Sequence, residues 1–195
     1  SARLANQLTA LVGSLRGSVC VYQGEELGLT EAEVPFESLR DPYGIAFWPN
    51  FKGRDGCRTP MPWNSHAANA GFSRGTPWLP VPAEHRALAV DVQEADPHSA
   101  LHGFRRFLRW RRDQPALRAG TIRFLDTPEP VLAFVRSLDG DELLVAFNLS
   151  AEPVTIELPL RDAVTVLEGH GLLQGRLDGR QLHLPGGGSL FARIG

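Results

Sequence analysis

Apolar residues recur at helical spacing from Ala2 to Leu15, at Leu4, Leu8, Leu11, Val12 and Leu15, and Gly17 then interrupts them. A stripe of that period predicts an amphipathic helix with a glycine stop. Val19-Cys20-Val21-Tyr22 follows as a short unbroken apolar run. With its β-branched residues it predicts a strand buried on both faces, as in a parallel sheet. The pattern then lapses. From Gly24 to Ala95 there is little periodicity, and eight prolines lie between Pro35 and Pro82 with Trp48, Trp63 and Trp78 among them. An irregular stretch of that length is functional or disordered, and its aromatic content favours function.

Periodicity returns at Ser99, an N-cap residue that opens a second helix with Leu101, Phe104, Phe107, Leu108 and Trp110 inward, ending before Pro115. From Thr121 the chain changes to short β-rich runs: 121–125, 131–137, 142–148, 154–158, 163–168, 181–184 and 189–194. Asp139-Gly140-Asp141 and Asp178-Gly179 separate neighbouring runs with hairpin-type turn residues. These runs predict a small antiparallel β-sandwich.

The order helix, buried strand, long loop, helix and β-sandwich is that of the end of a (β/α)8 barrel with an appended β domain. The fold class is therefore α/β plus all-β: the last strand and helices of a TIM barrel, followed by a C-terminal antiparallel β-sandwich. Residues 1–117 are assigned to the barrel (helix 7, strand 8, the long loop and helix 8) and 118–195 to the sandwich. A whole barrel needs about 200 residues or more. One strand and two helices before residue 118 are therefore expected to be the C-terminal portion of a larger catalytic domain, with the partners of the parallel strand in missing N-terminal barrel segments.

Composition narrows the function. The formal net charge of −2 leaves no basic footprint for nucleic acid, and Arg105, Arg106, Arg109, Arg111 and Arg112 read as a helix surface. No stretch approaches the roughly 20 apolar residues of a membrane span, and no signal-peptide pattern opens the chain, so a cytoplasmic location is expected. Two cysteines are not a disulfide framework, and the six histidines show no metal-ligand spacing. Neither a cofactor nor a metal is predicted. An orphan strand and an uncovered helix face would expose a large apolar patch, so self-association is expected.

Two motifs carry chemistry: Tyr22-Gln23-Gly24-Glu25-Glu26-Leu27-Gly28, just after the apolar run, and Gly53-Arg54-Asp55-Gly56-Cys57-Arg58-Thr59-Pro60-Met61-Pro62-Trp63. They resemble the eighth strand and following loop of the bacterial α-glucosidase and oligo-1,6-glucosidase branch of glycoside hydrolase family 13, the α-amylase superfamily. Pro42-Tyr43-Gly44-Ile45, Phe47-Trp48-Pro49 and the 111–117 segment extend the resemblance over essentially the whole chain. Pro62, where glutamine often stands in the family, is a departure. The resemblance implies a parent glycoside hydrolase of α-glucosidase type. That enzyme would hydrolyse or transfer terminal α-linked glucose of short oligosaccharides or disaccharides with net retention, through a covalent glucosyl-enzyme. Its catalytic carboxylates come from earlier strands, so the chain alone is expected to be inactive.

Glu25 and Glu26 invite reading as a catalytic pair, since retaining glycosidases set two carboxyls roughly 5 Å apart across the bond. Adjacent residues do not oppose one another across a sugar, so both are assigned to pocket lining or loop bracing, with Asp55 and Arg58. Arg54 is the first choice for substrate binding, because its guanidinium can fork two hydrogen bonds to neighbouring hydroxyls. A structural salt bridge to Asp55 or a loop glutamate is its alternative. Glu31 is placed at the pocket rim beside Glu33, and Phe47 and Trp48 on the acceptor side, with a solvated acidic face and core packing as the respective alternatives. A non-catalytic carbohydrate-binding or protein-interaction module is the competing reading of the whole chain. The absence of tryptophan after Trp110 and of tyrosine after Tyr43 weighs against a sugar platform in the sandwich.

Overall fold

The computed structural model describes residues 1–160 and 163–195. Helices α1 (Ala2–Ser14), α2 (Pro42–Ala46), α3 (Ala83–Arg86), α4 (Val90–Ala95), α5 (Ala100–Arg112) and α6 (Pro115–Ala119) precede the β region. The strands are β1 (Thr121–Phe124), β2 (Val131–Leu138), β3 (Asp141–Asn148), β4 (Val154–Glu157), β5 (Val164–Val166), β6 (Arg176–Asp178), β7 (Gln181–Leu184) and β8 (Ser189–Ile194). The chain divides into two compact units, one of Ser1–Val21 with Gly103–Gly195, the other of Tyr22–His102. None of the described helices is long and apolar enough to cross a membrane.

In the first unit, antiparallel pairing builds a five-stranded sheet in the order β1-β2-β3-β8-β5 and a three-stranded sheet in the order β4-β7-β6. Leu138 pairs with Asp141, so Asp139 and Gly140 form a two-residue turn, both at positive φ (51° and 88°). That conformation suits the right-handed twist of the hairpin and explains the Asp-Gly pair. Side chains alternate across the central strands. Val131, Ala133, Leu144, Ala146, Leu190 and Ala192 pack toward Ile156, Leu182 and Leu184 of the smaller sheet. Phe134, Leu143, Val145, Phe147 and Phe191 face the other way, onto Ala10, Phe107 and Leu117 of the helices. The large sheet is therefore buried on both faces, which is why β2, β3 and β8 read as almost continuous apolar runs.

One expectation needs correction. Residues 19–22 form no strand: among the described residues none pairs with them, and Val19 and Val21 are exposed. Without a neighbouring ladder, an apolar run has nothing to satisfy its backbone groups or cover its side chains. Helix α1 forms as expected; it buries Gln7, Ala10, Gly13 and Ser14, and Leu4, Leu8 and Val12 stay exposed as an uncovered apolar face. Small residues allow the close approach: a Cβ on Gly13 would lie 3.0 Å from Phe107 Cε1. The β6 strand was also absent from the sequence reading.

Arg136 lies fully buried on β2 and donates to four main-chain carbonyls: Ser14 at 2.5 Å, Leu15 at 2.9 Å, Gly120 at 2.8 Å and Thr121 at 3.1 Å. Arg111 adds a bond of 2.5 Å to the Gly13 carbonyl. Two cations thus gather the orphan carbonyls at the C-terminal end of α1, where the helix dipole is negative and its last turn contains no basic residue.

Candidate functional site

The Tyr22–His102 unit contains every residue that the sequence singles out for substrate contact. With few repeating elements, it is held by buried polar side chains that bind backbone groups. Gln93 donates to the carbonyls of Leu27 (2.8 Å) and Leu88 (2.9 Å) and accepts from the Leu101 amide (3.0 Å). His85 Nε2 lies 2.8 Å from the Thr30 carbonyl, which can only accept, so Nε2 donates, and Nδ1 is hydrogen-bonded to the Thr59 hydroxyl at 3.3 Å. Ser99 Oγ receives the His102 amide at 3.3 Å, the N-cap expected from the sequence.

The Gly24-Glu25-Glu26-Leu27-Gly28 segment is a tight 3₁₀ turn bounded by two glycines at φ 94° and 67°. Both carboxylates fold back on their own loop, Glu26 accepting the Gly24 amide at 2.7 Å and Glu25 the Tyr22 amide at 3.3 Å. Leu27 anchors the turn against Met61 and Leu101.

The second motif is organised by two buried aspartates. Asp55 accepts the amides of Arg40 (2.5 Å) and Asp41 (2.7 Å). Asp41 caps α2 through the Tyr43 amide (3.0 Å), followed by Pro42 at the first helical position, and its other oxygen takes the Arg54 amide (2.9 Å) and faces Arg54 Nε (3.5 Å). The Arg54 amide, foremost, holds the Asp41 carboxyl below its ordinary pKa against the opposing effect of burial, and the Tyr43 amide and Arg54 guanidinium add to it. Glycine permits this compactness. A Cβ on Gly44 would fall 2.5 Å from the Lys52 carbonyl, so α2 lies directly on the 52–53 backbone.

Arg54 is consequently fixed at its root and open at its tip. Its side chain is 66% exposed, and its ion-pair partner is Asp41. It borders a cleft of about 670 Å³ that Glu31, Glu33, Asn50, Phe51 and Lys52 also line. Lys52 is ion-paired with Glu33. Beside it, Tyr43, Phe47, Trp48, Asn50 and Phe51 line an aromatic cleft of about 540 Å³. A smaller cavity of about 160 Å³ is lined by Glu25, Glu31, Cys57, Thr59 and His85 among others.

The structure therefore brings Arg54 and Glu31 to one cleft and puts Phe47 in the adjoining one. Glu25 lines the small cavity, while Glu26 and Asp55 bind backbone. Arg58 is half-buried, its amide donating to the Asp55 carbonyl at 2.9 Å, and among the described residues its guanidinium has no ion-pair partner. The salt-bridge partner of Arg54 is Asp41, which the sequence reading did not consider. The Asp-Pro pair at 41–42 is an N-cap signal that marks it. Nothing local marks His85, whose partners Thr30 and Thr59 lie far along the chain, or the bond from Gln93 to Leu27. Among the described residues, no group of three His, Cys, Asp or Glu is placed to hold a metal ion. Chemically, the Arg54 cleft offers a forked donor and flanking carboxylates, a set suited to hydroxyl-rich molecules.

Residues 1–120 match the α-amylase catalytic domain model, and residues 122–175 match the maltogenic amylase C-terminal domain model. The chain is 52% identical to the protein named "Probable alpha-glucosidase" of Rhizobium meliloti (strain 1021), over 97% of this chain and 34% of that protein. It is 29% identical to the oligo-1,6-glucosidase of Parageobacillus thermoglucosidasius, over 80% of this chain and 31% of that protein. The crystal structure of the α-glucosyl transfer enzyme XgtA superposes with a TM-score of 0.95 at 54% identity, covering 100% of this chain and 36% of that one. Trehalulose synthase MutB from Pseudomonas mesoacidophila MX-45 superposes with a TM-score of 0.81 at 26% identity, covering 100% of this chain and 38% of the synthase. The chain thus spans about a third of the length of these relatives. With its first 120 residues matching the catalytic-domain model, the chain belongs to the α-amylase family.

Proposed function

We propose that these 195 residues act as the C-terminal part of a retaining α-glucosidase, and that Arg54 holds the terminal glucose while carboxylates from other segments perform the cleavage. Residues 1–117 complete the catalytic barrel, and residues 118–195 are a β-sandwich that supports it. The observation that carries this reading is the doubly anchored Arg54, whose exposed side chain lines a cleft together with Glu31. Relatives named for α-glucosidase and α-glucosyl transfer activities support α-linked glucose as the substrate and either water or another alcohol as the acceptor. The exposed Leu4, Leu8 and Val12 stripe is the surface on which missing barrel segments pack, and through which the isolated chain self-associates. Exposed unpaired thiols at Cys20 and Cys57 suit a reducing, cytoplasmic setting.

The test is a chimera in which residues 1–195 replace the matching C-terminal third of the Rhizobium meliloti relative, assayed by release of p-nitrophenol from p-nitrophenyl α-D-glucoside. The chimera is expected to be active, and Arg54→Ala to lower kcat/KM by roughly 100-fold, the scale of a lost positioning contact. The 195-residue chain alone is expected to release none. An inactive but folded chimera, or undiminished activity in Arg54→Ala, overturns the assignment.

A further inference from the structure

Far along the chain from the two clefts, three side chains carry buried polar atoms that find no hydrogen-bond partner among the described residues: Nε2 of His170, the amide nitrogen of Gln174 and Oγ of Ser189. His170 and Ser189 are 1% and 0% exposed. Buried polar groups are paired as a rule, because an unmet donor carries the whole cost of leaving water.

The three belong together. Leu190 and Ala192 of β8 face the smaller sheet and Phe191 faces the helices, so Ser189 shares the Phe191 side. The His170 ring lies 5.0 Å from that of Phe191 and 5.5 Å from that of Trp110 on α5, centroid to centroid. Gln174 and Ser189 are bridge partners, joined by bonds from the Gly175 amide to the Ser189 carbonyl (2.8 Å) and from the Ser189 amide to the Leu173 carbonyl (2.9 Å). Gln174 is also near enough to His170 to act on the charge of its ring.

The proton positions define what fits. The Leu172 amide, which can only donate, bonds His170 Nδ1 at 3.1 Å, so the ring is neutral and carries its hydrogen on Nε2. Burial, which lowers the affinity of the ring for a second proton, agrees with this. Ring Nε2–H and the Gln174 amide nitrogen are therefore both donors, and neither can satisfy the other. Turning the Gln174 amide over would serve the ring alone and leave Ser189 Oγ unmet. A metal ion finds no lone pair on either ring nitrogen. An anion meets no positive charge from a neutral ring, on which Glu168 already acts as a negative one. A small neutral molecule that both accepts and donates remains.

We propose that His170, Gln174 and Ser189 hold one buried water molecule, which accepts from His170 Nε2 and the Gln174 amide and donates to Ser189 Oγ. This water ties the loop after β5 to the start of β8 and fixes the His170 ring against Trp110. It is a structural ligand with three protein partners, the usual number for buried water.

The test is a crystal structure of the 195-residue chain at a resolution that shows ordered water. One density peak is expected roughly 2.7–3.2 Å from all three atoms. The double variant Gln174→Leu, Ser189→Ala leaves that water one partner where it needs two to four, and should lose the peak. In histidine-labelled ¹⁵N NMR of the unsubstituted chain, His170 should show the Nε2–H tautomer, a readout that stands even where the double variant fails to fold. Lack of the peak in the unsubstituted chain, with the Gln174 oxygen bonded directly to Nε2, overturns the proposal. So does a peak that survives the double variant, a peak replaced by bromide in an anomalous-scattering soak, which identifies an anion, or an Nδ1–H tautomer.

Discussion

Asp41 holds Arg54 at two points, accepting its amide at 2.9 Å and facing its side-chain Nε at 3.5 Å. The same carboxylate caps α2, so one buried group sets both the arginine of the polar cleft and the helix that bears Tyr43. Asp41→Asn should keep the cap partly and lose the charge-assisted grip on Nε. In the chimera described above, the expected result is a rise in KM of about tenfold with a smaller change in kcat, read from p-nitrophenyl glucoside kinetics.

Asp41 also predicts an acid limit. Its folded pKa lies below the ordinary 3.8 because the Arg54 amide and its companions favour the ionised form. A depressed carboxyl stabilises the folded chain fully above its unfolded pKa, and this contribution disappears as pH falls through the folded value. Asp91, bound by the amide and hydroxyl of Ser65, is lowered in the same way against its burial. Urea midpoints should therefore fall below about pH 4, and the double variant Asp41→Asn, Asp91→Asn should show a flatter acid branch.

His170 gives a second pH dependence at a milder pH. Its ring packs against Trp110 and Phe191, and burial lowers its pKa below 6.5, with Gln174 and Glu168 opposing. The folded state therefore prefers the neutral ring. Stability is full above about pH 6.5 and declines as pH drops from there toward the folded pKa, because the unfolded chain takes up the proton first. Thermal midpoints measured at about pH 8 and pH 5 should differ less in His170→Gln than in the unsubstituted chain.

Arg136→Ala should be the most damaging single change considered, because it strands four carbonyls that the guanidinium now satisfies. The expected loss is about 3–5 kcal/mol in urea unfolding, and Arg136→Lys should recover only part of it, since an ammonium cannot span the same fork. A loss under about 1 kcal/mol would show that these carbonyls find water instead.

Gly56→Ala probes the cleft floor. A Cβ there would collide with the Ala32 carbonyl and the Glu31 side chain, which now close over the glycine. The bond from the Ala32 amide to the Gly56 carbonyl, 3.0 Å long, should open, and faster hydrogen exchange at Ala32 would report it.

The legible parts of this molecule were those written in neighbouring residues. Asp139-Gly140 announced its hairpin, Ser99 its helix, and the paired motifs around Glu25 and Arg54 their family. Burial direction was less legible: α1 leaves Leu4, Leu8 and Val12 exposed and packs through Gln7, Ala10 and Gly13, with Leu11 partly buried beside them. An apolar stripe shows that a helix has a partner, but not which partner. Residues 19–22 teach the same lesson, since strand propensity cannot supply the neighbouring ladder. Within the site, Arg54 and Glu31 could be picked by residue type and position, whereas the partnership of Asp41 with a residue 13 positions away depends on how the loop closes.

The bonds from Arg136 and Arg111 to the end of α1 have an evolutionary consequence. They are made to main-chain oxygens, which every amino acid possesses, so the attachment of α1 asks little of the side chains it grips. Sequence drift at Leu15 or Thr121 leaves the junction intact, while its specification is concentrated in two arginines on separate elements. Relatives that share this junction should differ more freely at Leu15 and Thr121 than at the gripping arginines, while Gly13 and Gly120 stay constrained by the space around their Cα atoms.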